Sequence, residues 1–221
     1  MKNKTSKLIA AGVLLSVATV GTSAFAQSTG VTKTQVGFSN SYIPEGPEGD
    51  LDFLWLPKTF DFKQDNTILN KTMTLNEATQ VAQYVVVKDE RTSNEDSAWS
   101  LSASASQLVD PTGSNHLSTS TKYKFKSNIK GYESIKGDNS EAPDEESVIG
   151  GSQARMVAPS DTSLATDSNA IKIMEADNRG ANEARGKHAL EMTDIKLEVP
   201  AGGVRNVIYD GQINWTLTNG I

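Results

Sequence analysis

No cysteine occurs anywhere in the 221 residues. Disulfides, thiolate metal ligands and cysteine nucleophiles are therefore excluded, and with them papain-like and sortase-like mechanisms. Imidazole is nearly as scarce, since His116 and His188 are the only two histidines. Neither a G-x-S-x-G nor an H-E-x-x-H motif is present, so no motif positions a serine nucleophile or a metal-bound water. A carboxylate pair for glycoside hydrolysis is assembled in space, and 27 acidic residues say nothing about one. The chain reads as a non-enzyme with no cofactor.

Helical periodicity is also sparse. The best candidate, Ala176 to His188, is interrupted by Gly180 and Gly186 and its apolar residues are mostly Ala. It reads as a loop. The one long hydrophobic run, Leu8 to Val20, falls short of the roughly 20 residues a membrane-spanning helix needs. Lys2, Lys4 and Lys7 precede it and Ala24-Phe25-Ala26 follows. That order is a secretory signal, predicted as residues 1–26 with cleavage before Gln27. No C-terminal apolar tail or LPxTG-like sorting motif is seen. The expectation is a secreted protein held at a cell surface, if at all, by noncovalent contacts.

Positive charge is in deficit. Losing the signal would remove three Lys and no acid, moving the formal charge from −6 to −9. A nucleic-acid binder needs the opposite balance. Adsorption to an anionic lipid or wall polymer by bulk electrostatics is disfavoured for the same reason. Attachment would have to use specific contacts, a partner protein or a bridging cation. The acidic run Asp144-Glu145-Glu146 lacks the D-x-[DN]-x-[DN]-G spacing of a calcium loop and reads as a solvated surface loop, with no metal site.

What the chain has is strands. Leu51, Phe53 and Trp55 share one parity, and Phe60 and Phe62 repeat the alternation after Pro57. Tyr84-Val85-Val86-Val87 suits a strand buried on both faces. Trp99, Leu101, Ala103 and Ala105 alternate with serines, and Tyr123 and Phe125 alternate with lysines. Ile171 and Ile173 give a short strand. Ile195, Leu197 and Val199 give another, stopped by Pro200 and Gly202-Gly203. Ile213, Trp215 and Leu217 line one face of the last. The sum is an all-β fold, an antiparallel β-sandwich or barrel-like single domain with long loops, over residues 50–221. Residues 27–49, polar and ending in Pro44-Glu45-Gly46-Pro47-Glu48-Gly49, read as a flexible lead-in, and 131–147 as a surface loop.

Two of the three tryptophans stand in the same tripeptide, Trp99-Ser100-Leu101 and Trp215-Thr216-Leu217. Other segments fall around them in a recognisable order: Leu51-Asp52-Phe53 and Phe60-Asp61-Phe62, then Tyr84–Val87 and Asp89-Glu90-Arg91, later Leu197-Glu198-Val199-Pro200 and Tyr209-x-x-x-Ile213-x-Trp215-Thr216-Leu217. The ordered set resembles the WxL-domain surface proteins of low-GC Gram-positive bacteria, over about residues 45–219. The resemblance implies noncovalent attachment to the cell wall through peptidoglycan or another wall polymer. It also implies assembly with other surface proteins, including a membrane-anchored partner.

Trp99, Leu101, Tyr209, Trp215 and Leu217 are the candidate binding or fold-signature residues. Indoles stack on sugar faces, but Trp215 and Leu217 share a face with Ile213, which favours the core. The Tyr209 hydroxyl is expected to cap a backbone group in a corner. Trp55, next to Pro57, reads equally as a core residue and as a partner-contact aromatic at a sheet edge.

Overall fold

The structure, a computed structural model, describes residues 27–34, 50–91, 98–133, 143, 147–149, 156–176 and 185–219. The signal sequence, the 44–49 run and the Asp144–Glu146 cluster lie outside these residues. The architecture is all-β. Two sheets with antiparallel strand pairing face one another across a shared apolar core, and no helix occurs among the described residues.

The first sheet is ordered β1 (Gln27–Thr34), β12 (Gly211–Asn219), β5 (Trp99–Ala105), β10 (Ile171–Ala176), β8 (Met156–Val157). Both W-x-L tripeptides are therefore central and adjacent. Trp215 lies opposite Ala103, Leu217 opposite Leu101, and Asn219 opposite Trp99. Directly opposed residues point to one face, so each large side chain meets a small or complementary neighbour. Trp215 packs beside Ala103, and Trp99 beside Ala176 of the next strand. The intervening Ser100, Ser102 and Ser104 lie half-buried on the outer face, as the alternation predicts.

The second sheet runs β2 (Leu51–Trp55), β4 (Gln83–Asp89), β11 (Gly186–Val199), β6 (Lys122–Tyr132), β7 (Val148–Ile149). At the other end of β11 and β6, β3 (Met73–Asn76) and β9 (Asp161–Ala165) take the flanking places. The two halves are joined through a bulge in β11, where pairing with β6 shifts between Thr193 and Lys196. Asp194 there adopts φ 53°. One extra residue reverses the parity, so Leu190 and Met192 before it, and Ile195, Leu197 and Val199 after it, all face the core. The strand bends at that point and the sheet curls.

Several expectations change. Residues 27–34 are not a flexible lead-in: they form edge strand β1, paired with β12 along all eight residues. Their polar composition hid them, because only an edge strand's inward positions need be apolar or small. Phe60 and Phe62 are buried but lie outside the strands. Between them the Asp61 carbonyl accepts from the Ala78 N–H at 2.7 Å. The expected loop Ala176–His188 is strand at both ends, with Ala176 closing β10 and Gly186–His188 opening β11. Trp55 does not share a face with Phe53. A bulge between them puts Phe53 in the main core and Leu54 and Trp55 in a second cluster with Tyr84, Val86 and Tyr132 on the sheet's other side. β4 is buried on both faces, as its β-branched run predicts.

Candidate functional site

Trp99, Leu101 and Trp215 are fully buried and Leu217 is 1 % exposed. They contribute to the core and cannot touch a ligand without unfolding. The two indoles differ in polar company. Trp215 Nε1 donates to Thr32 Oγ1, and Thr32 Oγ1 donates to the Pro57 carbonyl at 2.7 Å. Three chain segments meet in that relay: the last strand, the first strand and the connection after β2. Gly30, opposite Trp215, admits the close packing, because a Cβ there would stand 2.1 Å from Leu56 Cδ1. Trp99 Nε1 has no acceptor among the described residues, and its ring lies 6.0 Å from that of the buried His188. Trp55 is on an edge strand yet buried, with Lys58 Nζ 5.7 Å from its ring centroid.

Beyond the start of β12 the sandwich end is open among the described residues. There a cleft of about 230 Å³ lies between the loop 63–68 and the loop 204–209. Its floor is the exposed side of core residues Phe62, Met73, Leu108, Leu117, Leu197 and Val199. Its rim is aliphatic as well, with Ile68 47 %, Val207 43 % and Ile208 41 % exposed. Of the six residues singled out from sequence, Tyr209 alone lines it. Its hydroxyl accepts the Arg205 backbone N–H at 2.8 Å and so shapes the 204–209 turn. The opposite rim is held by Asn66, whose amide donates to the carbonyls of Phe62 at 2.7 Å and Lys63 at 3.0 Å. Lys63 itself has φ 63° and donates its N–H to the Asp61 carboxylate at 2.7 Å.

The cleft's charge is opposite to that of the chain. Its lining includes Lys63 and Arg205 and no carboxylate, whereas the chain carries a formal charge of −6. Beside the cleft, Asp110 organises the turn that follows Leu108. It accepts hydrogen bonds from the Asn115 amide at 2.8 Å, the Asn115 N–H at 3.0 Å, the Ser114 N–H at 2.8 Å and the Thr112 hydroxyl at 2.9 Å. Donation from Asn115 above all lowers its pKa from 3.8 to about 2. Among the described residues, no group of three or more His, Asp and Glu could hold a metal ion.

Residues 26–220 match the family described as WxL domain surface cell wall-binding. The chain belongs to the WxL family. Comparison with curated proteins and with solved structures finds no match. The WxL domain takes in β1, since the match begins at residue 26. As a WxL domain is a surface domain that binds cell wall, the protein is a wall-associated cell-surface protein.

In this WxL domain the tripeptides that mark the family make the core, and the surface that can meet a partner lies elsewhere. Lys63, Ile68, Arg205, Val207 and Ile208, which line the cleft, were not singled out from the sequence. Their signal is present but faint: Ile68-Leu69 and Val207-Ile208 are apolar pairs inside segments otherwise made of polar and turn-forming residues.

Proposed function

We propose that this WxL domain is a non-catalytic attachment module that holds an exported protein noncovalently on peptidoglycan, with the cleft end as its contact surface. The observation that carries the reading is the cleft itself: solvent-exposed aliphatic rims over an apolar floor, with two cations and no acid. Burial of both family tryptophans supports a rigid support role for the W-x-L strands, leaving the contact to loops. The non-catalytic reading is supported by His188 being enclosed against Trp99, which leaves only His116 exposed, with no catalytic motif around it.

The test is co-sedimentation of residues 27–221 with purified, protein-free wall at moderate salt. Retention that saturates is expected, with no soluble fragments released on long incubation. A protein that stays in the supernatant refutes direct attachment, and fragment release refutes the non-catalytic part.

A second reading is a structural subunit placed by a membrane-anchored partner. It is favoured by the strands β7 and β8, which end their sheets among the described residues and leave Ile149 50 % and Val157 53 % exposed. Open strand edges with exposed apolar side chains suit pairing with another protein. Surface display that disappears when such a partner is deleted, with no sedimentation of the pure protein, would favour this reading over the first.

A further inference from the structure

We infer that the cleft recognises the peptide component of the wall, a short chain of small aliphatic residues carrying a free carboxylate, and not a sugar ring. This rests on the attachment reading above.

Sugar recognition leans on exposed aromatic faces. Among the described residues every Trp and Phe is buried, and every Tyr except Tyr209, which is half-buried with its hydroxyl engaged by the Arg205 N–H. The cleft offers aliphatic side chains instead. Ile68, Val207 and Ile208 form rims that gain by covering methyl groups. At about 230 Å³ the space is smaller than the roughly 300–1,000 Å³ of ordinary small-molecule sites. It suits one or two small side chains entering from an extended peptide.

Charge selects within that class. Lys63 and Arg205 stand exposed on the two opposing rims, neither in an ion pair among the described residues. A guanidinium fork matches a carboxylate in two parallel hydrogen bonds. Lys63 and Arg205 are the only charged residues in the lining, with Asp65 on the same loop and Asp110 beside the cleft outside it. A polyol phosphate would satisfy the cations but leave the aliphatic floor and rims covered by nothing apolar. An alanine-rich peptide ending in a carboxylate satisfies both. The rim is already held in shape by Asn66 on one side and Tyr209 on the other, so little ordering cost attends binding.

The experiment titrates residues 27–221, by calorimetry or backbone NMR, with a synthetic alanyl-alanine-terminated tetrapeptide. Parallel titrations use its C-terminal amide, a tetramer of N-acetylglucosamine and a glycerol phosphate oligomer. The free-acid peptide is expected to bind at least tenfold tighter than the amide, with shifts confined to the cleft. Arg205→Gln and Ile208→Ser should each weaken it several-fold with unchanged melting temperature, since both side chains are exposed. Equal binding of acid and amide, preference for the sugar or the phosphate oligomer, no binding at all, or indifference to both substitutions overturns the inference. Wall sedimentation separates the two readings. Wild type and Lys63→Gln/Arg205→Gln retained alike would sink the cleft inference and leave attachment standing. Peptide binding without wall retention would do the reverse.

Discussion

The indole N–H of Trp215 is received by the hydroxyl of Thr32, a residue 183 positions earlier in the chain. Thr32 is fully buried and its hydroxyl in turn donates a hydrogen bond to the Pro57 carbonyl. The distal W-x-L strand therefore depends for its polar satisfaction on the first strand, which has no aromatic and only one aliphatic residue, Val31.

Replacing Thr32 with Val keeps the shape and removes the acceptor. An indole N–H would then be left unpaired in the core, at a cost of about 1–3 kcal/mol. Urea unfolding of Thr32→Val is expected to show that loss with an unchanged m-value. A midpoint equal to wild type would mean the hydrogen bond contributes nothing.

Deleting residues 27–34 should do far more harm than trimming a tail. The change unpairs one edge of β12 from Gly211 to Thr218 and exposes a strand template for aggregation. Expected outcomes are lost cooperativity in thermal unfolding and lower solubility. Gly30→Ala, which brings a Cβ against Leu56, should destabilise in the same direction through overpacking, by about 1–3 kcal/mol.

Trp215→Ala and Trp99→Ala should each cost about 3–5 kcal/mol, a large part of the ~5–15 kcal/mol available to a domain. Any loss of wall retention in these variants is expected to follow loss of fold, read by near-UV circular dichroism on the same samples. A variant with native spectra and melting but no retention would return the tryptophans to the binding surface.

At the far end of β12 a different device ties the sheets together. Arg91 meets the buried Asp89 carboxylate through Nε at 2.8 Å and Nη2 at 2.7 Å, and its Nη1 donates to Asn219 Oδ1. Asp89→Ala takes the carboxylate away from a largely buried guanidinium, a loss of about 3–5 kcal/mol. Equilibrium unfolding of that variant provides the measurement.

Acid should weaken the fold from a named position. The folded-state pKa of Asp110 is about 2 against an ordinary 3.8, so its contribution is complete above about pH 4 and is lost as pH falls from there to about 2. Glu198, held low by Lys124, and Asp194, held low by Lys196, act in the same direction. Melting temperature measured from pH 6 to pH 2 should fall mainly below pH 4. Asp110→Asn should flatten part of that slope, and an unchanged profile would refute its role.

Strand identity was legible where several large apolar residues alternated, and not at the short strands β3 and β9. The alternations at Trp99–Ala105 and Ile213–Leu217 needed no tertiary information, because a strand with one buried face writes period two into its residues. The failures have specific causes. The Leu54 bulge turned Trp55 to the opposite face from Phe53, and no residue type at that point announces a bulge. The β11 bulge hid the first half of a 14-residue strand, since Leu190 and Met192 fall out of phase with Ile195, Leu197 and Val199, and only the second half was legible. Strand β1 was invisible because only its inward positions, such as Gly30 and Thr32, carry the constraint, and neither is hydrophobic.

Local pattern alone was enough for the all-β class, the two tryptophan strands and membership of a wall-binding surface family, since alternation and motif order are properties of the chain read in line. Which strands touch, which face each indole takes and where a ligand could enter came from long-range pairing. The cleft joins residues 63–68 to residues 204–209, and such a meeting depends on how β3 and β11 align, a relation that no stretch of neighbouring residues encodes.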